Sequence, residues 1–140
     1  MIDEKLKPVL DELKRLRFKL RIEQILPTDE IIDDYESDIG MKFSDDYRFF
    51  LKEASDSLHN GKDALRVTQE RNSPGELCEE IVQARKIGLP ENWLPICEDN
   101  SNYYCLDGDG KVRFWDHNGT SDESWPDLAT WIKEVWIEGR

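Results

Sequence analysis

Asp107, Asp109, Asp116 and His117 crowd one short stretch, YYCLDGDGKVRFWDHNG (103–119). Carboxylates and an imidazole this close together could hold a metal ion or run acid–base chemistry. An EF-hand loop needs oxygen ligands at positions 1, 3 and 5, glycine at 6 and glutamate at 12. Counted from Asp107, position 5 is Lys111, position 6 is Val112 and position 12 is Asn118; counted from Asp99, position 6 is Tyr104. Both registers fail. A structural zinc site takes about four Cys or His ligands, whereas Cys78, Cys97, Cys105, His59 and His117 are scattered without paired spacing. Reduced, buried thiols are the expectation. A cysteine nucleophile needs an imidazole beside it. Pairing around residues 108–109 sets Cys105 opposite a residue near Arg113, some four positions from His117. G-x-S-x-G, HExxH, the P-loop and G-x-G-x-x-G are all missing. No catalytic residue, metal or cofactor is therefore expected, and binding is favoured over catalysis.

The same letters make a good hairpin. Asp-Gly-Asp-Gly supplies residues that tolerate a tight turn, between flanks that alternate like strands. Trp93, Tyr103, Tyr104, Phe114 and Trp115 then crowd a small sheet, some facing the core and some the open face. Exposed aromatics make rigid contact area of the kind enriched at binding hot spots. The candidate partner-binding set is Trp93, Tyr104 and Trp115 with a polar, acidic rim of Asp99, Asn100, Asp107, Asp116 and His117. If the EDNSN turn centres on Ser101, Cys97 and Cys105 face each other across a second hairpin. They would then be two small buried hydrophobes or, alternatively, a redox pair.

Helices must carry that sheet. Ile2, Leu6, Val9, Leu13, Leu16 and Leu20 recur at three- and four-residue spacing, predicting a helix within 2–26, although RFKLRIE (17–23) also alternates like a strand. Thr28 caps a second helix with stripe Ile32, Tyr35 and Ile39, and Gly40 ends it. Ser44 caps a third, where Tyr47, Phe50, Leu51 and Ala54 form a core-facing stripe. After the Asn60-Gly61 turn, ALRVTQ (64–69) alternates like a strand. Ser73, Pro74 and Glu76 read as N-cap, N1 and N3 of a capping box for a helix running to about Ile87. Three strands follow at 93–97, 103–107 and 111–116. Ser124, Pro126 and Asp127 open a last helix with stripe Leu128, Trp131, Ile132 and Val135. The class is α+β: a small antiparallel sheet of about four or more strands, packed with N-terminal, middle and C-terminal helices.

Composition agrees with one domain over 1–140, large enough for a core. Fourteen aromatic side chains are too many for a disordered coil. No apolar run approaches the roughly 18 residues of a membrane span, and MIDEKLKPVL lacks a signal-peptide core, so a cytoplasmic location is expected. Asn118-Gly119-Thr120 then reads as a turn rather than a glycosylation site. Net charge is −12, yet residues 1–26 hold seven Lys or Arg against five Asp or Glu. The acidity therefore sits in the rest of the chain. Such a surface repels phosphate backbones and speeds encounter with a basic partner.

The order of motifs resembles a known family. Glu36 to Gly40, FSDDYRFFL (43–51), WLPI (93–96), YYCLD (103–107), GKV (110–112), WDH (115–117) and SWPDLATWI (124–132) occur together. They resemble the SUKH superfamily, in its branch related to the yeast Smi/Knr-type cell-wall assembly regulator. The likeness spans about 27–137. Ser44 stands where the family usually has proline, and 1–26 reads as an extra N-terminal helix. The resemblance implies an α+β fold and, for bacterial members, an immunity protein that neutralises a cognate toxin, often a nuclease, by stoichiometric binding. The alternative it implies is a regulatory interaction scaffold without a toxin partner; a small-ligand-binding or enzymatic domain ranks third. The expected partner is a basic toxin domain encoded nearby, with no direct contact to nucleic acid or membrane.

Overall fold

The computed structural model describes residues 1–17, 25–118 and 121–139. Helix α1 (Leu6–Leu16) is shorter than its stripe suggested, because the backbone turns extended at Arg17. Pro8 falls in its first turn, where an N–H has no helical partner to lose. Leu6, Leu10 and Leu13 are buried. The competing strand reading of 17–23 lies, beyond Arg17, outside the described residues.

Helices α2 (Asp29–Ile39) and α3 (Asp45–Ala54) follow their caps. Thr28 Oγ1 accepts from Ile31 N, Ser44 Oγ accepts from Tyr47 N, and Gly40 closes α2 at φ +78°. Tyr47, Phe50, Leu51 and Ala54 are all buried. The Asn60-Gly61 turn joins β1 (Leu58–His59) to β2 (Lys62–Asp63), with both turn residues at positive φ. Asn60 Nδ2 reaches across to donate to the carbonyls of Trp136 and Ile137, each at 3.0 Å. Trp136 Nε1 answers by donating to the His59 and Lys62 carbonyls, each at 3.1 Å. Hairpin and C-terminal helix thus cap one another.

Residues 64–69 do not form the expected strand. They run extended with a single bridge, Arg66 to Glu76. The reason is Glu76, which is 1% exposed. Its carboxylate accepts from the Tyr35 hydroxyl, from Thr68 Oγ1 at 2.6 Å and Thr68 N at 3.1 Å, and from Ser73 N at 3.4 Å. The capping box is thus half present. Glu76 does reach back to Ser73 N, but helix α4 (Leu77–Lys86) begins only after it. Ser73 to Glu76 form a turn, with Gly75 at φ +75°.

The sheet is an antiparallel meander of β3 (Leu94–Asp99), β4 (Asn102–Leu106), β5 (Val112–Trp115) and β6 (Ser124–Trp125). Helix α5 (Leu128–Trp131) continues as a π-helical segment over Ile132–Ile137. Ser124 and Trp125 belong to β6, so the last helix opens at Asp127, whose Oδ1 accepts from Thr130 N at 2.7 Å. On the helix-packed face, Tyr104 meets Phe114 at 4.9 Å, Trp125 at 5.7 Å and Trp131 at 5.1 Å between ring centroids. Trp136 then links Trp131 to Phe50 of α3. A single core cluster extends from Leu6 to Trp136. The other face carries a smaller cluster of Tyr103, Cys105, Ala84 and Leu89, flanked by Trp93 and Trp115.

Cys97 and Cys105 do not face each other. The β3–β4 turn is the pair Asn100-Ser101, both at positive φ, and a bulge shifts the register between Pro95 and Cys97. Cys97 therefore opposes Tyr104, while Cys105 opposes Pro95. The two thiols belong to clusters on opposite faces, which overturns the redox-pair alternative.

The buried carboxylate generates a stability prediction. Tyr35 donates to Glu76 and accepts from Cys78 N at 3.0 Å. Tyr35→Phe removes both bonds at almost constant volume and is expected to cost about 2 kcal/mol. Urea denaturation measures this, and an unchanged midpoint would show that Glu76 does not need its phenol donor.

Candidate functional site

The sheet's antiparallel order brings the C-terminal ends of β3 and β5 beside the N-terminal ends of β4 and β6. Asp99, Asn100, Trp115, Asp116 and His117 gather at this end. Asn100 occupies the tip of the turn at φ +52°, a conformation asparagine tolerates. Glu98 Oε2 accepts from Ser101 N at 3.2 Å, and Asp116 Oδ1 accepts from Asn118 N at 2.8 Å. His117 is tied to Asn102 Oδ1 through its backbone N–H at 3.2 Å and its ring Nδ1 at 2.6 Å. Asp122 and Glu123 enter β6 at the same end. Among the described residues none of Glu98, Asp99, Asp116, Asp122 and Glu123 is ion-paired. Uncompensated carboxylates on a rigid sheet end make a local negative field.

The remaining candidates lie elsewhere. Trp93 and Asp107 sit at the opposite end, joined through Arg113. Its guanidinium lies 5.8 Å from the Trp93 ring centroid, and its Nε donates to Asp107 Oδ2 at 2.9 Å. Asp107 is no rim acid: its side chain is 7% exposed, and its Oδ1 accepts from Asp109 N at 2.8 Å and Lys111 N at 3.0 Å. It braces the turn. Tyr104, 9% exposed, is buried among Trp125 and Trp131, so its place in a contact surface is withdrawn. Alternation sent Tyr104 to the helix-packed face, and Tyr103 to the other, where its hydroxyl donates to Glu80 Oε2 at 2.8 Å.

Sequence reasoning missed Glu98, Asp122 and Glu123. Glu98 adjoins Asp99, and its signal was the acidic EDNSN turn. Asp122 and Glu123 were hidden because β6 is two residues long and shows no alternation of its own.

Burial pushes the Cys97 thiol up to about 12 and raises Cys105 as well, which suits inert thiols rather than nucleophiles. Among the described residues no three His, Cys, Asp or Glu side chains converge as metal ligands, and no helix is long and apolar enough to cross a membrane.

Asp107 carries a pH prediction. Burial alone would raise its pKa, but the Asp109 N–H, the Arg113 guanidinium and the Lys111 N–H outweigh it and hold the carboxyl below its ordinary value. A depressed folded pKa contributes stability that is complete above the unfolded value, about 3.9, and is lost as pH falls through the folded value. The stability gap between wild type and Asp107→Asn should be about 1–2 kcal/mol at neutral pH and should close as pH falls below the ordinary carboxylate range, through the depressed folded value. Thermal melts across that range test it; a gap constant with pH would refute the assignment.

Relatives were found by two routes. A crystal structure of a protein from Pseudomonas syringae pv. tomato is similar, with 26% identity and a TM-score of 0.87 over 94% of this chain and 98% of that one. No curated protein matches the sequence. The family model described as SMI1-KNR4 cell-wall (SUKH_5) matches residues 6–137. That match begins at residue 6, so it takes in α1, which the motif-level likeness did not reach. With nearly its whole length matched, the chain belongs to the SMI1-KNR4 cell-wall family, SUKH_5.

Proposed function

We propose that this chain is an immunity protein: a single-domain, cytoplasmic binding module that neutralises a cognate bacterial toxin by forming a stoichiometric complex. Family membership supports a protein-interaction or immunity-type module in general. The observation that carries the finer reading is the acidic sheet end, where, among the described residues, Glu98, Asp99, Asp116, Asp122 and Glu123 form no ion pair. Acids already committed to internal pairs, such as Asp107, cannot serve an outside partner; these five can. Asn100, Trp115 and His117 supply polar and aromatic contact area beside them. The partner that fits is a basic toxin domain, a nuclease being the readiest example, and the action is occlusion rather than catalysis. Nucleic acid itself is a poor partner for such a surface. The contact set proposed is Asp99, Asn100, Trp115, Asp116 and His117, enlarged by Glu98, Asp122 and Glu123; Trp93 at the far end is a peripheral contact.

The decisive experiment is a pull-down with the product of the adjacent gene, paired with growth rescue on co-expression. Binding and rescue are expected. A housekeeping neighbour, with no binding at low or moderate salt, would replace immunity by the regulatory-scaffold reading. For the complex, the association rate should fall steeply as ionic strength rises while dissociation changes less. The triple variant Asp99→Asn, Asp116→Asn, Glu123→Gln should slow association by about tenfold at low salt. A rate indifferent to both would remove the charge argument.

A further inference from the structure

A second site lies away from the acidic sheet end, on the other side of the Glu76 network. The segment 66–74 curls against the start of α2 and encloses a cavity of about 540 Å³. That is within the range of small-molecule sites, about 300–1,000 Å³. One wall is apolar, made by Pro27, Ile31 and Val67. Arg66 is among its polar lining residues.

Arg66 differs from every other described arginine. Arg15, Arg17, Arg48, Arg71 and Arg113 are all ion-paired, and Arg85 donates to the Glu91 carbonyl. Among the described residues Arg66 has neither an ion pair nor a side-chain hydrogen bond, although it is half-buried. Glu76 is its neighbour along the bridge, yet that carboxylate is already taken by Tyr35, Thr68 and Ser73. Burial pushes the Arg66 guanidinium down, and Asp63, Asp56 and Glu76 oppose the shift without reaching it as partners. In a chain with 31 acids against 19 bases, a cation left unpaired inside a cavity stands ready for an anion from outside.

We propose that this cavity binds a small amphipathic monocarboxylate, its carboxylate held by the Arg66 guanidinium and its apolar body laid against Pro27, Ile31 and Val67. A planar guanidinium matches a carboxylate through two parallel hydrogen bonds. Asn72 and Ser73 also line the cavity, and among the described residues their side chains have no hydrogen-bond partner, so they supply further donors. Single charge is required because Asp63 and Glu70 stand on the same lining. One cation against two nearby acids, within a field of net charge −12, disfavours a dianion such as phosphate. The volume exceeds what a bare carboxylate fills, and this calls for the apolar body. The site shares no residue with the proposed toxin-contact surface, so either can fail without the other.

Calorimetric titration of the full chain with hexanoate, hexanol and inorganic phosphate tests this. Hexanoate is expected to bind one to one, with hexanol and phosphate weaker by about tenfold or more, the worth of a charge-assisted pair. Arg66→Gln should weaken hexanoate by the same factor, leave hexanol unchanged, and leave the melting temperature equal or higher because the guanidinium has no partner to lose. Asn72→Trp, at an exposed lining position, should block hexanoate without touching Arg66. It serves as the deciding variant if Arg66→Gln fails to fold. No saturable binding of hexanoate, equal binding of hexanol or phosphate, or indifference to both substitutions would each overturn the proposal.

Discussion

The middle of the chain is organised around one buried carboxylate. Taking Glu76 out of water costs several kcal/mol unless its lone pairs are satisfied. Its partners come from three separate places: Tyr35 on α2, Thr68 on the extended segment, and Ser73 in the turn before α4. Satisfying them fixes where α2, 64–76 and α4 stand relative to one another. It also explains why 64–69 is no regular strand. Its backbone serves Glu76 and a single bridge, and Leu65 N donates to the Ile96 carbonyl instead of joining a ladder. Arg66 is left without a partner by the same arrangement, since the nearest buried acid is already occupied.

The sheet obeys a different constraint, that of two covered faces. Side chains alternate, so each strand must feed the large core on one side and the small Tyr103–Cys105 cluster on the other. The bulge near Ile96 resets this alternation, letting Leu94, Ile96 and Cys97 all enter the larger core. The polar ends of the strands are what remain for recognition, and their chemistry differs. At one end Arg113 neutralises Asp107 and rests on Trp93. At the other, among the described residues, none of the five acids is ion-paired. The net charge of the molecule is thus less informative than where its acids lack partners.

Local rules were legible in the sequence wherever the deciding contacts were local. Thr28 and Ser44 cap because the groups they bond lie three residues away, and Tyr47, Phe50, Leu51 and Ala54 declare a buried face by spacing alone. The Cys105–Arg113 pairing also followed from its turn. The misreadings share one cause, contacts made at long range. Ser73 to Glu76 spell a helix start, but Tyr35, about forty positions earlier, claims the glutamate. The EDNSN turn was centred half a residue too late, and the bulge that sorts the two thiols leaves no local mark. Tyr104 looked as exposed as its neighbours until Trp125 and Trp131 closed over it. Of the candidate site, the acidic turn and WDH were readable, whereas their union with Asp122 and Glu123 depends on a two-residue strand. Motif order identified the family, since order survives where single motifs are weak.

The mutual cap between the Asn60 hairpin and Trp136 sets a condition on how the molecule comes into being. Its hydrogen bonds join residues 74 to 77 positions apart. During synthesis the β1–β2 hairpin leaves the ribosome long before the indole that completes it. Until then its His59 and Lys62 carbonyls remain without that donor, and the aromatic chain from Phe50 through Trp136 to Trp131 stays open. Folding of such long-range closures is slow relative to local helices. This closure therefore waits until the segment Ile132–Ile137 has been made, and the early helices stand meanwhile as a partly assembled platform.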